Sequence, residues 1–590
     1  MPRPEFTAVI DTVPAVSGQF VVCLGRPREL PDLTPESLLV EAEIGPESLA
    51  RLSQIDPRRM RHGLVIVTCR EQYARHPRLV LQAQKLLLFL FTKFVRIPSE
   101  SSRVPDPMAM RPPDTPPEYL HLLNIYHNTP FHLRSCLVDK LRDERVGLPC
   151  LLLLPGPSLA GLKDRLREFA RRYLIVTISR VLPFLRQAGL APDVLVQLDT
   201  VPLQAHFHHP NDHFPRSILL ALSLAPIRAF APRFRQLFFI DSFDPSALPN
   251  PSRIRESWLS SLIACLGCAE ALQAPKVLLA GADLRLAGHN VYHEEVDPAA
   301  LDTAASHDAP LTSQANRLIL ADAQGRLAET TVQYLATAAE AELCAREIQA
   351  EQGTTFRNLS SWSLLDPEVY APMTVEEALE DPELDRESFL AKADAAAGQT
   401  ERINLRSLRA KYSRALADAK RGMDLLTCLR TDLPQTLSRH PYYRYVAANV
   451  PWFRPSGETG LERLAVSLAG ELLAATRFAR NMVSLHLQGS TGKAVAVLCT
   501  GEEEAKARER LGRLWPDWSW RCLGIRMPGT GRPEPSAGCL ELGALHDWLQ
   551  FQEVVVVAPE FAGEYQYAMS LVQGDNCIAL ETLAAYAPGR

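Results

Sequence analysis

The chain has no apolar run long enough to cross a bilayer. The longest, Leu86–Phe91, falls far short of the ~20 residues a spanning helix needs, so no membrane span is expected. It has no basic run either, and its net charge is −5, which removes the electrostatic case for a nucleic-acid partner. Met1–Thr12 is polar and carries Pro2, Pro4 and acidic residues, which is not the form of a secretory signal. The 12 cysteines are scattered and mostly sit inside apolar runs, as the buried, reduced thiols of a cytoplasmic protein do. Cys265-Leu-Gly-Cys268 is a lone pair in an apolar helical stretch, with no second pair and no nearby histidine pair to complete a zinc site. His206, His208, His209, Asp212 and His213 crowd into eight residues, but their spacing matches no standard zinc pattern and reads as a solvated loop. No metal is expected.

What is present points to a multidomain α/β protein. A chain of 590 residues holds several domains at ~150 residues each. Its 46 prolines imply many connections and few very long helices. The organising stretch is Pro149–Thr200. Cys150–Leu154, Leu174–Ile178 and Val194–Leu198 are short apolar runs that suit buried strands. Leu159, Leu162, Leu166 and Phe169 recur at helical spacing between the first two, and Val181–Leu190 suits a short helix before the third. This is the pattern of a doubly wound parallel sheet, a Rossmann-like layer with helices on both faces.

Ligands of such sheets bind at the carboxyl ends of the strands. That edge carries Gly156, Pro157, Ser158, Thr177, Ser179 and Asp199. A helix starting after Gly156 offers backbone N–H groups that attract a phosphate, and glycine lets it come close. The same four residues, Pro155–Ser158, equally make a tight turn with an N-cap. Ser217–Leu224, Leu237–Ile240 and Lys276–Leu279 are further strands, and Trp258–Leu272 is an apolar helix. The last strand runs into Gly281 and Asp283. Asp283 either lines the pocket or caps a turn. His289, Tyr292 and His293 follow, then His307-Asp308.

The GPSL turn, the PDVLVQLD element about forty residues on and the later GADLR…Y-H element form an ordered set. This set resembles the motility-associated factor (Maf) glycosyltransferases, which modify flagellin with nonulosonic acids. Their central domain is in turn similar to bacterial sialyltransferases that use CMP-activated sugars. The same core resembles the hydroxymethylpterin pyrophosphokinases. The resemblance runs from about Asn128 to Tyr370. It implies a cytoplasmic transferase that moves a pseudaminic or legionaminic type of sugar from its CMP derivative to Ser or Thr of flagellin, with no cofactor beyond the CMP-sugar. It implies a donor pocket at Gly156, Pro157, Ser158, Ser179, Asp199, Gly281, Asp283 and Tyr292, with Asn358 and Ser360 of a recurring closing stretch within reach. The transfer it implies needs a base for the acceptor hydroxyl, and a histidine titrating near neutrality serves; His293 and His307 are the candidates, and His293, in Tyr-His-Glu, matches the family's Tyr/His element better than His307 does.

Two departures stand out. Ser179-Arg180 occupies a place where the sialyltransferases have Asn, and Ala282 one where Maf members commonly have Gln. The pterin family carries an acidic pair for magnesium, whereas here the pair is Gln197 and Asp199. A non-catalytic Maf-like protein that binds flagellin is the remaining alternative.

The flanks have their own patterns. Phe20–Leu24 and Leu64–Thr68 are strand-like, Glu47–Ile55 is helical, and Lys85–Val95 suits a helix or a strand. Val104–Pro117 reads as a linker. Asn128–Glu144 reads as a helix entering the central domain, with His127, His132 and Arg134 as surface or interdomain residues. Arg317–Tyr334 has a hairpin-like centre. Glu329–Gln349 is a helix with Val332, Leu335, Leu343 and Ile348 on its apolar face. Arg402–Leu426 and Leu461–Leu487 are long amphipathic segments without sustained heptads. Ala494–Leu498, Trp520–Ile525 and Val554–Ala558 are strands, with a helix at Glu502–Leu514 whose three leading carboxylates repel phosphate. The expected domains are an N-terminal α/β unit (1–127), the transferase-like core (128–372), a helical region (373–490) and a small α/β unit (491–590).

If every cysteine is reduced, thiol titration of the unfolded, unreduced protein finds 12 thiols. A count lower by two or more would overturn that assignment.

Overall fold

In a computed structural model of the chain, the described residues are 5–6, 19–27, 37–60, 63–94, 117–198, 213–229, 231–240, 260–286, 317–322, 326–360, 362–399, 403–427, 459–499, 501–526, 535, 539–541, 552, 554–558, 577–580 and 583. The expected linker at Val104–Pro117 lies outside them but for Pro117, and the histidine-rich stretch lies outside them but for His213.

The fold is α/β throughout. A parallel sheet of Glu5–Phe6, Leu64–Thr68, Phe20–Leu24 and Leu38–Glu41 opens the chain. Its even-numbered side chains Phe20, Val22, Leu24, Leu64 and Ile66 face the helix Pro77–Phe94, as the two-residue strand period demands. The segment left open as helix or strand is therefore helix. Val80, Ala83, Leu87 and Phe91 of that helix are buried along one stripe.

The central sheet has nine strands, all parallel to their neighbours. We number them β1 (Cys136–Leu137), β2 (Cys150–Leu153), β3 (Leu174–Ile178), β4 (Val194–Gln197), β5 (Phe214–Ala221), β6 (Phe234–Phe239), β7 (Lys276–Ala280), β8 (Thr355–Asn358) and β9 (Ala371–Pro372). Their order across the sheet is β9-β8-β7-β2-β3-β4-β5-β6-β1. The chain runs outward from β2 to β6, then returns to lay β7 on the other side of β2. The β2–β7 border is the topological switch point, where open α/β sheets hold their ligands. One face packs on α1 (Ser261–Ala271) and α2 (Val332–Gln352), through Leu152, Val176, Val277 and Leu279. The opposite face sets Leu151, Leu153, Ile175 and Leu278 against Leu159, Leu162, Leu166, Phe169 and Phe184. The sheet is covered on both sides, which is why its strands read as continuous apolar runs.

The amino edge is fastened separately. Ile175 N–H donates to Asp193 Oδ2 at 2.8 Å. Arg386 grips the same carboxylate through Nε (2.9 Å) and Nη2 (3.1 Å), and donates to Tyr173 O at 2.8 Å. Asp193 of the PDVLVQLD element thus closes the edge opposite the expected pocket.

Several expectations need revision. Asn128–Glu144 is not one helix. The helix is Pro117–His132, β1 follows, and then a short helix Asp139–Asp143. Cys136 and Leu137 pair with Phe238 and Phe239, a tertiary pairing that overrides the local pattern. Residues 157–165 form a 3-10 helix before the α-helix begins at Leu166. Leu343 is 39% exposed, although Val332, Leu335 and Ile348 of the same helix are buried. The long segment expected at Leu461–Leu487 lies within a helix of 32 residues, Thr459–Ser490, which contains no proline.

The hairpin at Arg317–Ala321 and Leu327–Thr331 is antiparallel. Leu318, Leu320 and Ala328 pack into the N-terminal core together with Leu335 and Leu364, while Ile319 between them is 66% exposed. Deep in this junction Lys85 Nζ donates to Glu342 Oε1 and to Leu364 O, each at 2.5 Å. Glu342 Oε1 also accepts Asp366 N–H at 2.8 Å. Arg78 Nε and Nη2 add a bidentate pair with Asp366 at 3.0 and 3.1 Å.

Further on, Thr374 and Glu377 form a reciprocal cap, as the sequence implied. Helices Leu405–Thr427 and Thr459–Ser490 meet through Leu408, Tyr412, Ala479 and Val483. The final parallel sheet orders Cys539–Glu541, Trp520–Arg526, Val495–Leu498, Val555–Val557 and Cys577–Ala579. Met482 and Leu485 of the long helix belong to its core. Among the described residues no helix is long and apolar enough to cross a membrane.

Removing one partner of the buried Lys85–Glu342 pair strands the other charge. We expect Lys85→Met to lower stability by about 3–5 kcal/mol, and Lys85→Met with Glu342→Leu to recover most of it. Denaturant unfolding measures both. Equal losses in the single and double variants would refute a charge-based origin.

Candidate functional site

The carboxyl ends of β8, β7, β2 and β3 lie side by side. Asn358, Gly281 with Asp283, Gly156 with Ser158, and Ser179 therefore stand in a row along one edge. Two turns meet at its centre. Gly156 N–H donates to Gly281 O at 2.9 Å, continuing the pairing Leu154 N–H to Ala280 O past the strand ends. Neither glycine has room for a side chain. A Cβ at Gly156 would lie 2.3 Å from Gly281 O, and one at Gly281, whose φ is +69°, 1.8 Å from Leu154 O.

Asp283 closes this junction with 0% exposure. Its Oδ2 accepts Ser158 N–H at 2.7 Å. Its Oδ1 accepts the Ser158 hydroxyl at 2.6 Å and the Ser360 hydroxyl at 2.5 Å. Ser360 is held in turn, its N–H donating to Asn358 Oδ1 at 3.0 Å. The carboxylate sits at the amino end of the helix that starts at Pro157, where a negative charge is favoured.

The backbone behind Asp283 is bound on both flanks. Leu364 N–H donates to Asp283 O (3.0 Å) and Ser363 Oγ to Ala282 O (2.7 Å). Thr330 Oγ1 donates to Leu284 O at 2.7 Å, and Leu286 N–H to Glu329 O at 2.8 Å. Leu284 has φ +53°, a conformation a branched residue keeps only where its surroundings impose it. Arg285 lies buried, with its guanidinium 4.5 Å from the Trp362 ring centre and Nη1 3.5 Å from Asp322 Oδ2. Burial pushes its guanidinium below the ordinary arginine range.

The comparisons with known proteins fall on this region. Residues 123–288 match the model of a family described as 6-hydroxymethylpterin diphosphokinase MptE-like. The matched stretch spans β1 to β7 and both turns of the junction. No curated protein matches the chain. Among solved structures, the chain is similar to a Maf glycosyltransferase from Magnetospirillum magneticum AMB-1. That likeness has 14% identity and a TM-score of 0.36, and covers 77% of this chain and 70% of that one. The pterin-kinase-like resemblance read from the motifs is met by the family match over residues 123–288.

Of the expected site residues, the matched stretch and the β8 that follows bring together Gly156, Pro157, Ser158, Gly281, Asp283 and Asn358, with Ser179 buried at the end of β3. Thr177 Oγ1 donates to Leu153 O at 2.7 Å and so ties β3 to β2. Asp199, Tyr292, His293 and His307 lie outside the described residues. The N–H groups expected to be open to phosphate differ from that picture. Ser158 N–H has Asp283, and Leu159 N–H has Gly156 O at 3.1 Å. Among the described residues no group of three or more His, Cys, Asp or Glu comes together as metal ligands would.

His127, His132 and Arg134 stand apart from the edge. His132 is buried against Phe239 at 3.8 Å between ring centres, and burial pushes it well below the usual histidine range. His127 is pushed down to about 4 by burial and by Arg228. Arg134 lies 5.5 Å from the Trp515 ring centre, linking the domain to the C-terminal unit. Cys265 and Cys268 are buried in α1, and burial pushes Cys265 up to about 12, so both are inert thiols. The sequence reading missed the part of Arg285, Asp322 and Ser363. No motif marks them, because they act through partners 37 to 81 residues away.

The junction yields a steric test. Gly353 has φ +73° but no atom within 4 Å of the place a Cβ would take. Gly353→Ala should cost about 1–2 kcal/mol, the left-handed term alone. Gly281→Ala should cost several times more, because the clash adds to it. Equal losses in urea unfolding would show that the two turns are not tightly apposed.

Proposed function

We propose that this protein is a transferase whose activated substrate binds at the β2–β7 switch point of the central sheet. In its most specific form the reading is a glycosyltransferase. It moves a nonulosonic acid, of the pseudaminic or legionaminic type, from its CMP derivative to Ser or Thr of flagellin. The observation that carries it is the apposition of the Gly156–Ser158 and Gly281–Asp283 turns at that point. It sets the two motifs that the sialyltransferase-like families use for a nucleotide sugar on one edge. The ordered motif set along the chain supports the sugar over other nucleotide chemistry.

In this reading the donor lies across Ser158, Ser179 and Asn358, with Asp199 and Tyr292 completing the pocket. Tyr292 stabilises the departing CMP phosphate. His293 takes the proton from the acceptor hydroxyl, with His307 as the second candidate. The protein acts in the cytoplasm. Its donor is the CMP-sugar and its acceptor partner is flagellin.

The family description favours a second reading, diphosphoryl transfer from ATP to a pterin alcohol. That chemistry asks for paired carboxylates around magnesium. The chain has Gln197, buried at the end of β4, in the place of the first acid, so the residues present do not fit the metal and this reading ranks behind.

The intact mass of flagellin, in cells with and without this gene but with sugar synthesis intact, tests the proposal. Loss of a repeating mass increment is expected. His293→Ala should lower transfer by about 10²–10⁴-fold with donor binding retained. An unchanged flagellin mass would sink flagellin as acceptor. Pterin diphosphorylation by the purified protein would replace the sugar reading with the second one.

A further inference from the structure

The turn that looks like a phosphate cradle has no backbone N–H left to offer. Leu154 N–H and Gly156 N–H are taken by Ala280 O and Gly281 O, each at 2.9 Å. Pro155 and Pro157 have none. Ser158 N–H goes to Asp283 Oδ2 at 2.7 Å and Leu159 N–H to Gly156 O at 3.1 Å. The positive end of the helix is already matched by a carboxylate of the protein. A phosphate placed here would meet that charge across a single serine.

The hydroxyl protons are committed too. Ser158 Oγ donates to Asp283 Oδ1 at 2.6 Å, and Ser360 Oγ donates to the same oxygen at 2.5 Å. A serine hydroxyl has one proton and two lone pairs. Ser158 is half-buried whereas Asp283 is fully buried, so of the two it is Ser158 that a ligand can approach. With its proton on Asp283, its hydroxyl can meet a ligand only as an acceptor, polarised by the carboxylate behind it.

Resting on the nucleotide-substrate reading above, we infer that Ser158 recognises a ribose hydroxyl of the nucleotide rather than its phosphate, and that Asp283 is the positioning residue that fixes this polarity. The phosphate then lies elsewhere along the edge. Asp283→Asn reverses the polarity in a defined way. The amide oxygen keeps the Ser158 N–H, while the amide NH2 faces both hydroxyls and turns their protons outward. Ser158 then becomes a donor.

Calorimetric titration with CMP, 2′-deoxy-CMP, 3′-deoxy-CMP and inorganic phosphate decides the matter. The unsubstituted protein should bind CMP about tenfold more tightly than one of the two deoxy analogues, the worth of one good hydrogen bond. Ser158→Ala should bring CMP and that analogue within about twofold of each other while leaving phosphate binding unchanged. Asp283→Asn should abolish the same preference and tighten inorganic phosphate. If Asp283→Asn does not fold, as its melting curve will show, Ser158→Ala alone decides. Equal weakening of all three nucleotides and of phosphate in Ser158→Ala would overturn the inference and leave the transferase proposal standing. Absence of CMP binding by the unsubstituted protein would overturn both.

Discussion

A carboxylate with no exposed surface holds the two strand-end turns of the central sheet together. Asp283 reaches from the end of β7 to the first residue that the next turn can offer, Ser158, and to Ser360 beyond β8. Three donors converge on it, which is what makes a buried negative charge tolerable. The two glycines are consequences of this closeness. With Gly156 and Gly281 carrying side chains, the backbones would stand too far apart for the carboxylate to bridge them. The left-handed backbone at Leu284 follows as well, since the chain must turn at once to present the next residues to the hairpin and to Ser363.

The two edges of the central sheet are built on the same chemistry with opposite results. At the amino edge, Asp193 is bound by a backbone N–H and by both arms of Arg386. The charge is cancelled locally, and that edge is a fastening. At the carboxyl edge, the hydrogen-bond donors to Asp283 among the described residues are all neutral. Its charge is shared through the hydroxyls of Ser158, which is half-buried, and Ser360, which is buried. What that edge can offer is a neutral hydroxyl acceptor polarised by the carboxylate behind it.

Much of this was legible in the sequence. The strands β2, β3, β4 and β7 were marked by short apolar runs because both faces of the sheet are covered, and the hairpin by its polar centre. The GPSL and GADLR motifs were found at strand ends, and the fold sets them side by side. What could not be read was who bonds to whom. Ser158 and Asp283 are 125 residues apart, and nothing local distinguishes a serine that caps a helix from one that hands its proton to a distant carboxylate. β1 was missed for a similar reason. Two residues, Cys136 and Leu137, become a strand only because Phe238 and Phe239 provide an edge to pair with.

The junction between the N-terminal sheet and the core carries a consequence for how the chain is made. Lys85 finds its acceptors at Glu342 and Leu364, 257 and 279 residues later. Leu318, Leu320 and Leu335, which complete the core shared by helix Pro77–Phe94 and the N-terminal sheet, arrive as late. At about 5–20 residues per second, the ribosome needs roughly 15–55 s to deliver that missing side. During this interval the newborn N-terminal unit has only part of its core in place, and Lys85 has neither of the acceptors that hold it in the finished fold. The N-terminal unit therefore reaches its final packing only after most of the core has been synthesised.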